Sequence, residues 1–339
     1  MSSHDLAATA LALVADGKGI LAADESTGTI EKRFDGIGLA STAETRRSYR
    51  QLLFTAPDFA RHISGVILYD ETLRQADDGG KPFPRLLADM DVLPGIKVDT
   101  GAKPLAGHAG ETVTEGLDGL RERLAEYVAL GARFAKWRAV IDIAAGLPSE
   151  GAIVANAHAL ARYAALCQEA GVVPIVEPEV LMDGDHGLER CEEVTARVLR
   201  AVFHSLNRQG VMLEGILLKP NMVIPGKGCP DQASPERIAA ATLRCFRQTV
   251  PAAVPGIVFL SGGQSAEEAT VNLNAMNAMG PQPWKLSFSY GRALQQPALA
   301  AWGGQAANVA RAQDILRLRA AGNGAAALGS YSVAMEAAG

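Results

Sequence analysis

Eight short runs of aliphatic or β-branched residues, each stopping at a polar residue, alternate along this chain with Ala-, Leu-, Glu- and Arg-rich stretches of helical character. The runs are Gly19 to Ala23, Ile63 to Tyr69, Gly95 to Val98, Arg133 to Trp137, Val172 to Val176, Gly215 to Leu218, Gly256 to Leu260 and Trp284 to Phe288. Strands that alternate with helices run parallel, because each helix returns the chain to the starting edge of the sheet. Eight such units close on themselves more naturally than they fill an open sheet. The pattern predicts an α/β fold, a single (β/α)8 TIM barrel over residues 1–339, although the length alone would also allow two domains.

Helices are predicted over Thr42 to Phe54, Gly116 to Leu130, Asn156 to Ala170, Cys191 to Gln209, Ser234 to Thr249 and Ser265 to Met279. Gly131, Gly171 and Gly210 stand just past three of them, where a left-handed C-cap favours glycine. The apolar stretch Leu6 to Ala15 follows His4 and Asp5 without a Lys or Arg, so it suits an amphipathic first helix better than a secretory signal. The Gly/Ala-rich segment 320–339 looks like a loose tail.

No apolar run approaches the roughly 20 residues that span a bilayer, so no membrane role is expected. A net charge of −5 gives no reason to expect nucleic-acid binding, yet leaves room for a local basic pocket. Cys167, Cys191, Cys229 and Cys245 form no C-x-x-C pair, which argues against a zinc knot or disulfide framework and for a reducing cytoplasm.

In a barrel the chemistry gathers at the C-terminal ends of the strands. The polar residues there are Asp24, Asp70, Lys97, Lys136 with Arg138, Glu177 with Glu179, Lys219, Ser261 and Ser289. Converging so much charge on one mouth is costly as mere scaffolding, so a functional site is the better explanation. A lysine there becomes a nucleophile toward a ketone if burial and neighbouring cations lower its pKa from about 10.4 to about 7–8. Crowding three lysines is expected to do this. Lys136 and Arg138, like Glu177 and Glu179, are two residues apart and so share a face of their strand. Glu177 can then shuttle protons beside an amine, and Asp24 can accept a hydroxyl proton when a C–C bond breaks.

Leu260-Ser261-Gly262-Gly263-Gln264-Ser265 carries a strand through glycines into a helix, a turn whose N–H groups can cradle phosphate. The next strand ends Ser287-Phe288-Ser289-Tyr290-Gly291-Arg292, again a hydroxyl, a glycine and a cation at such a turn. Loops after strands seven and eight are the usual phosphate site of barrels, so the two segments support one another.

Gly19-Ile-Leu-Ala-Ala-Asp-Glu-Ser-Thr-Gly28, Leu68-Tyr-Asp-Glu-Thr72, Gly95-Ile-Lys-Val-Asp99, Phe134-Ala-Lys-Trp-Arg138, Val176-Glu-Pro-Glu179, Leu217-Leu-Lys-Pro-Asn-Met222 and the two phosphate-loop segments together resemble class I fructose-bisphosphate aldolase, in family order over nearly the whole chain. The resemblance implies that Lys219 forms a Schiff base with the ketone of fructose 1,6-bisphosphate or dihydroxyacetone phosphate, in glycolysis and gluconeogenesis. It implies proton handling by Glu177 with Lys136 beside it, Asp24 as acceptor of the C4 hydroxyl proton, and Glu179 in support of the lysines. Ser261, Gly262, Gly263, Ser289, Gly291 and Arg292 would surround the ketone-end phosphate. Ser26, Thr29, Arg33 and Lys97 would hold the other phosphate or its neighbouring hydroxyls, with Arg138 nearby. No cofactor or metal is implied, sugar phosphates are the expected partners, and the family commonly forms tetramers.

Thr29 stands where the family places serine, and a hydroxyl is retained. The chain ends Met335-Glu-Ala-Ala-Gly339 without the terminal tyrosine of many animal members; its nearest, Tyr331, is given no role. Two other functions fit the fold. A metal-dependent aldolase would need a ligand cluster, and the one suggestive segment, Asp183-Gly-Asp-His186, reads better as a polar loop. A non-catalytic phosphosugar sensor or scaffold would not need intact Lys219, Glu177 and Asp24.

Overall fold

In the computed structural model, which describes residues 3–336, eight parallel strands close into one barrel in sequence order. They are β1 (Gly19–Ala23), β2 (Ile63–Leu68), β3 (Leu93–Lys97), β4 (Phe134–Ile141), β5 (Val173–Val180), β6 (Leu217–Leu218), β7 (Gly256–Phe259) and β8 (Lys285–Tyr290). Each of the eight predicted runs contains its strand or overlaps it. β4 and β5 run further than expected because they pair with each other from Phe134 and Val173 to Ile141 and Val180. β6 is short: Pro220 has no N–H to continue a ladder, although the Lys219 N–H extends the pairing to the Val176 carbonyl at 2.8 Å and the Pro220 carbonyl accepts the Leu260 N–H at 3.1 Å.

Every predicted helical interval holds a helix, with three shifted starts, Leu188–Arg208 opening three residues before Cys191. Glu150–Glu169 begins six residues early, because Ser149 caps it by accepting the Ala152 N–H. Leu120–Ala129 begins late, because Gly116 and Gly119 have φ of 125° and 67°, outside the helical region. A small antiparallel hairpin, Ala102–Pro104 with Thr112–Thr114, follows β3 and was not anticipated.

The lumen explains how the site is positioned. The opening segment is helical, Ser3–Leu13, and closes the lower end of the barrel with Leu6, Ala10, Leu13 and Val14. Above it, one buried cluster takes Ile20 and Ala22 from β1, Ile67 from β2, Phe134 from β4, Val173 and Ile175 from β5, Leu217 from β6 and Val258 from β7. The Phe134 ring fills this floor by lying against β3: a Cβ on Gly95 would come within 2.3 Å of it. Side chains alternate along a strand, so the next lumen positions after Ala22, Phe134, Ile175 and Leu217 are Asp24, Lys136, Glu177 and Lys219. An apolar floor therefore carries a charged layer two residues above it.

The segment from Ala320 is not loose as expected. The last long helix, Val309–Ala327, continues through it, and Ala320, Gly322, Asn323, Gly324 and Ala326 are buried. Small residues are there for close approach: a Cβ on Gly324 would come 2.6 Å from the Gly17 carbonyl oxygen, and Asn323 bonds the Thr270 hydroxyl at 2.9 Å. Beyond it, Tyr331 is partly buried and gives its N–H to Asn274 Oδ1 at 2.9 Å; residues 337–339 of the expected tail lie outside the described residues.

Candidate active site

Lys136 sits at the centre of the charged layer. Its Nζ lies 2.7 Å from Asp24 Oδ2 and 3.1 Å from Glu177 Oε2, while Lys219 Nζ lies 3.2 Å from Glu177 Oε1. The side chains of Lys136, Glu177 and Lys219 are only 4–5% exposed, so these ion pairs are shielded from solvent screening. The result is a chain of alternating charge across β1, β4, β5 and the end of β6. Arg138 and Glu179 pair one layer further out, and Lys97 pairs with Asp99 at 3.2 Å on the β3 side. Asp70, by contrast, turns away: it is about half exposed and bonded to Arg74 at 3.0 Å.

Crowding lysines has an effect opposite to the one expected at Lys136. Burial alone would lower its pKa, but Asp24, Glu177 and then Asp99 outweigh it and raise it well above the ordinary value. Burial would likewise push Asp24 up, yet the ammonium groups of Lys136 and Lys219 hold it far below the usual carboxylate range. Glu177 is lowered too, against its burial, by Lys136, Lys219 and Arg138. At neutral pH the cluster is a fixed lattice of charges with ionised carboxylates beside both amines.

The two expected phosphate loops adjoin this layer. The strand-seven turn places Ser261 in a buried position and Gly263 at φ 80°, and neither Gly262 nor Gly263 gives its N–H to another described group. The helix that follows, Ala266–Ala278, is capped by Ser265 and Glu268, so its own first turn is satisfied without the glycine amides. Glu179 and Met182 press on the turn: a Cβ would come 2.9 Å from Glu179 Oε1 at Gly262 and 2.3 Å from Met182 Cγ at Gly263. Ser289 on β8 has a buried hydroxyl with no partner among the described residues. Such a group asks for a ligand. We predict that Gly263→Ala raises the KM for a phosphorylated substrate at least about 10-fold and costs about 1–3 kcal/mol in urea unfolding, because both the positive φ and Met182 oppose a methyl group; an unchanged KM would show the turn to be uninvolved in binding.

On the β1 side, Ser26 and Thr29 bring their hydroxyls to 3.0 Å at the start of the helix Thr27–Asp35. Arg33, on the same helix, lies beside Gly291, where it lines a cavity of about 370 Å³ with Lys32 and Arg292. Arg33 therefore also neighbours the strand-eight loop. Sequence reasoning missed Lys32, Asp99 and Glu25. Glu25 follows Asp24, so alternation turns it out of the lumen into the layer between barrel and helices, where only the fold reveals its partners Arg33, Arg50 and Gln295. Among the described residues no group of three or more His, Cys, Asp or Glu side chains could share a metal ion, and His186 is buried with both ring nitrogens unpartnered.

Known proteins are similar to this chain over nearly its whole length. The family described as fructose-bisphosphate aldolase class-I matches residues 5–339. A protein of Xanthomonas campestris pv. campestris named "Probable fructose-bisphosphate aldolase class 1" is 60% identical over 332 residues, 98% of this chain and 99% of its own. Fructose-bisphosphate aldolase C of Rattus norvegicus is 57% identical over 96% of this chain and 91% of its own length. The fructose-bisphosphate aldolase of Plasmodium falciparum, solved with TRAP and a small-molecule inhibitor, superposes with a TM-score of 0.96 at 52% identity, covering 97% of this chain and 95% of that one. With a matching barrel and end-to-end similarity at these identities, the chain belongs to the class I fructose-bisphosphate aldolase family.

Proposed function

We propose that this lyase reversibly cleaves fructose 1,6-bisphosphate to dihydroxyacetone phosphate and glyceraldehyde 3-phosphate through a Schiff base on Lys219. The observation that carries the reading is the relay in which Glu177 touches both amines, with Asp24 at the far end on Lys136.

Lys219 Nζ gives an ammonium proton to Glu177, 3.2 Å away, and attacks the ketone carbon in its neutral form; the proton that nitrogen sheds on bonding moves to the former ketone oxygen, which becomes the carbinolamine hydroxyl. Glu177 then returns a proton to the carbinolamine hydroxyl, which leaves as water. Loss of the lysine charge aids this step, because one of the cations that hold Glu177 ionised disappears as the carbinolamine forms. Asp24, kept ionised by Lys136, takes the C4 hydroxyl proton; the C3–C4 bond breaks, and its electrons enter the protonated imine. Protonation of the enamine and hydrolysis by water release dihydroxyacetone phosphate and restore the amine. Ser261, Gly262, Gly263, Ser289, Gly291 and Arg292 fix the ketone-end phosphate, so the bond to be broken is held relative to both Lys219 and Asp24. Ser26, Thr29, Arg33 and Lys97 serve the other end with Arg138 nearby, and Lys32 lines the same cavity as Arg33. Glu179 tethers Arg138.

A cytoplasmic homo-oligomer, tetrameric by family resemblance, is part of the same proposal. All four cysteines are unpaired, which suits a reducing compartment, and no helix among the described residues is long and apolar enough to cross a membrane. The test of function is cleavage of fructose 1,6-bisphosphate by the purified protein in a coupled assay, with and without a chelator. Equal turnover in both is expected. Activity lost to the chelator and restored by zinc would replace the imine with metal chemistry, and no cleavage by folded protein would favour a sensor.

A further inference from the structure

Glu25 is a buried carboxylate with more partners than its charge requires. It accepts from Arg33 Nη1 on one oxygen and from Arg50 Nη2 at 2.6 Å on the other, and Gln295 Nε2 adds a bond at 2.9 Å. Arg50 and Glu25 are 3% and 5% exposed, whereas Arg33 is 22% exposed. Arg50 alone balances the buried charge. Gln295 is satisfied as well, donating also to the Ala22 carbonyl at 2.6 Å and accepting from the Tyr49 hydroxyl at 3.2 Å. The second guanidinium is therefore surplus to the structure, and the cluster carries one net positive charge that faces outward.

That charge has a defined place to act. Arg33 Nη2 lies 4.0 Å from where a Gly291 Cβ would be, and Arg33 lines the cavity that Lys32 and Arg292 also line. Among the described residues Glu25 is its only hydrogen-bond partner, so four of its five donor hydrogens are left for an anion. A long side chain tethered at one nitrogen has already lost the rotamer freedom that a ligand would otherwise have to remove.

Resting on the aldolase reading above, we propose that Glu25 is a positioning residue: it holds the Arg33 guanidinium at the rim of this cavity, poised for the substrate phosphate remote from the ketone. Arg33→Ala should lower kcat/KM for fructose 1,6-bisphosphate about 30–100-fold, the loss of a charge-assisted contact. Glu25→Gln should lower it about 10-fold, chiefly through KM, the cost of leaving one rotamer-rich side chain unheld. In an Arg33→Ala background, Glu25→Gln should add less than about 2-fold. Dihydroxyacetone phosphate has no remote phosphate, so the concentration that half-saturates its borohydride-trapped adduct should stay the same in all three variants.

The readouts separate positioning from scaffolding. A Glu25→Gln loss that persists in full on Arg33→Ala, or that shifts dihydroxyacetone phosphate binding equally, overturns the proposal. Should Glu25→Gln fail to fold because Arg50 is left unpaired, Glu25→Asp keeps the charge while retracting the carboxylate. It must then weaken fructose 1,6-bisphosphate alone, and an equal effect on dihydroxyacetone phosphate overturns the proposal in that variant too. A wild-type protein that neither cleaves the one nor traps the other would instead remove the aldolase reading itself, and this proposal with it.

Discussion

Lys219→Met abolishes the reaction: turnover of fructose 1,6-bisphosphate falls by at least about 10⁴-fold, and no borohydride-stable adduct forms with dihydroxyacetone phosphate. The size of the loss follows from what the amine supplies. Without it no iminium forms, and the carbanion at C3 has no electron sink for the other residues to assist. The fold should survive, because Glu177 keeps Lys136 at 3.1 Å and methionine occupies nearly the lysine's volume. Mass mapping of the wild-type adduct decides the assignment. Modification at Lys136 or Lys97 would move the nucleophile to another strand, and substantial turnover by the variant would remove the imine from the mechanism.

Lys136→Met has the largest expected effect on stability. It removes the one cation among the described residues in contact with both Asp24 and Glu177, leaving a buried carboxylate without its partner, at about 3–5 kcal/mol in urea unfolding at pH 7. The pH dependence identifies the cause. In the wild type both carboxylates are held below their ordinary values of 3.8 and 4.5, so their contribution is complete above that range and declines as pH falls through and below it. Lys136 is raised above 10.5, so the same ion pairs, counted once, are also lost toward strongly alkaline pH. In the variant, burial of Asp24 is opposed only by more distant cations and its pKa rises. The gap between wild type and variant should thus be widest above about pH 5 and narrow below about pH 4. A gap independent of pH would mean lost packing instead of lost charge. Activity should fall about 10²–10⁴-fold, since Asp24 and Glu177 lose the cation that keeps them ionised and in place.

Much of the site was legible because it obeys a two-residue period on buried strands. Gly19–Ala23 was bounded correctly from its apolar run, and Asp24, Lys136, Glu177 and Lys219 followed as strand-end polar residues. Asp70 satisfied the same rule and still left the group, since the short helix Asp70–Leu73 begins at that residue and turns its carboxylate to Arg74. Glu25 was invisible for the converse reason. Its partners Arg50 and Gln295 are 25 and 270 residues away, and no local pattern joins them. The hairpin at Ala102–Pro104 and Thr112–Thr114 escaped because strands of three residues are too short to carry a usable alternation. At the C-terminal end the composition misled: glycine and alanine can mark a loose chain, but in Val309–Ala327 they mark a helix pressed against its neighbours.

The step from the Phe134 floor to the Lys136 amine makes β4 behave like a reading frame with a period of two. Deleting one residue between them would turn the ammonium toward the surrounding helices and swing Trp137 into the lumen. Inserting two would restore the facing but lift the amine by about 6.6 Å, beyond reach of Asp24 and Glu177. The strands of such a barrel cannot change length without losing the reaction, so changes in length are confined to the loops and the helical layer while the catalytic layer changes only by substitution.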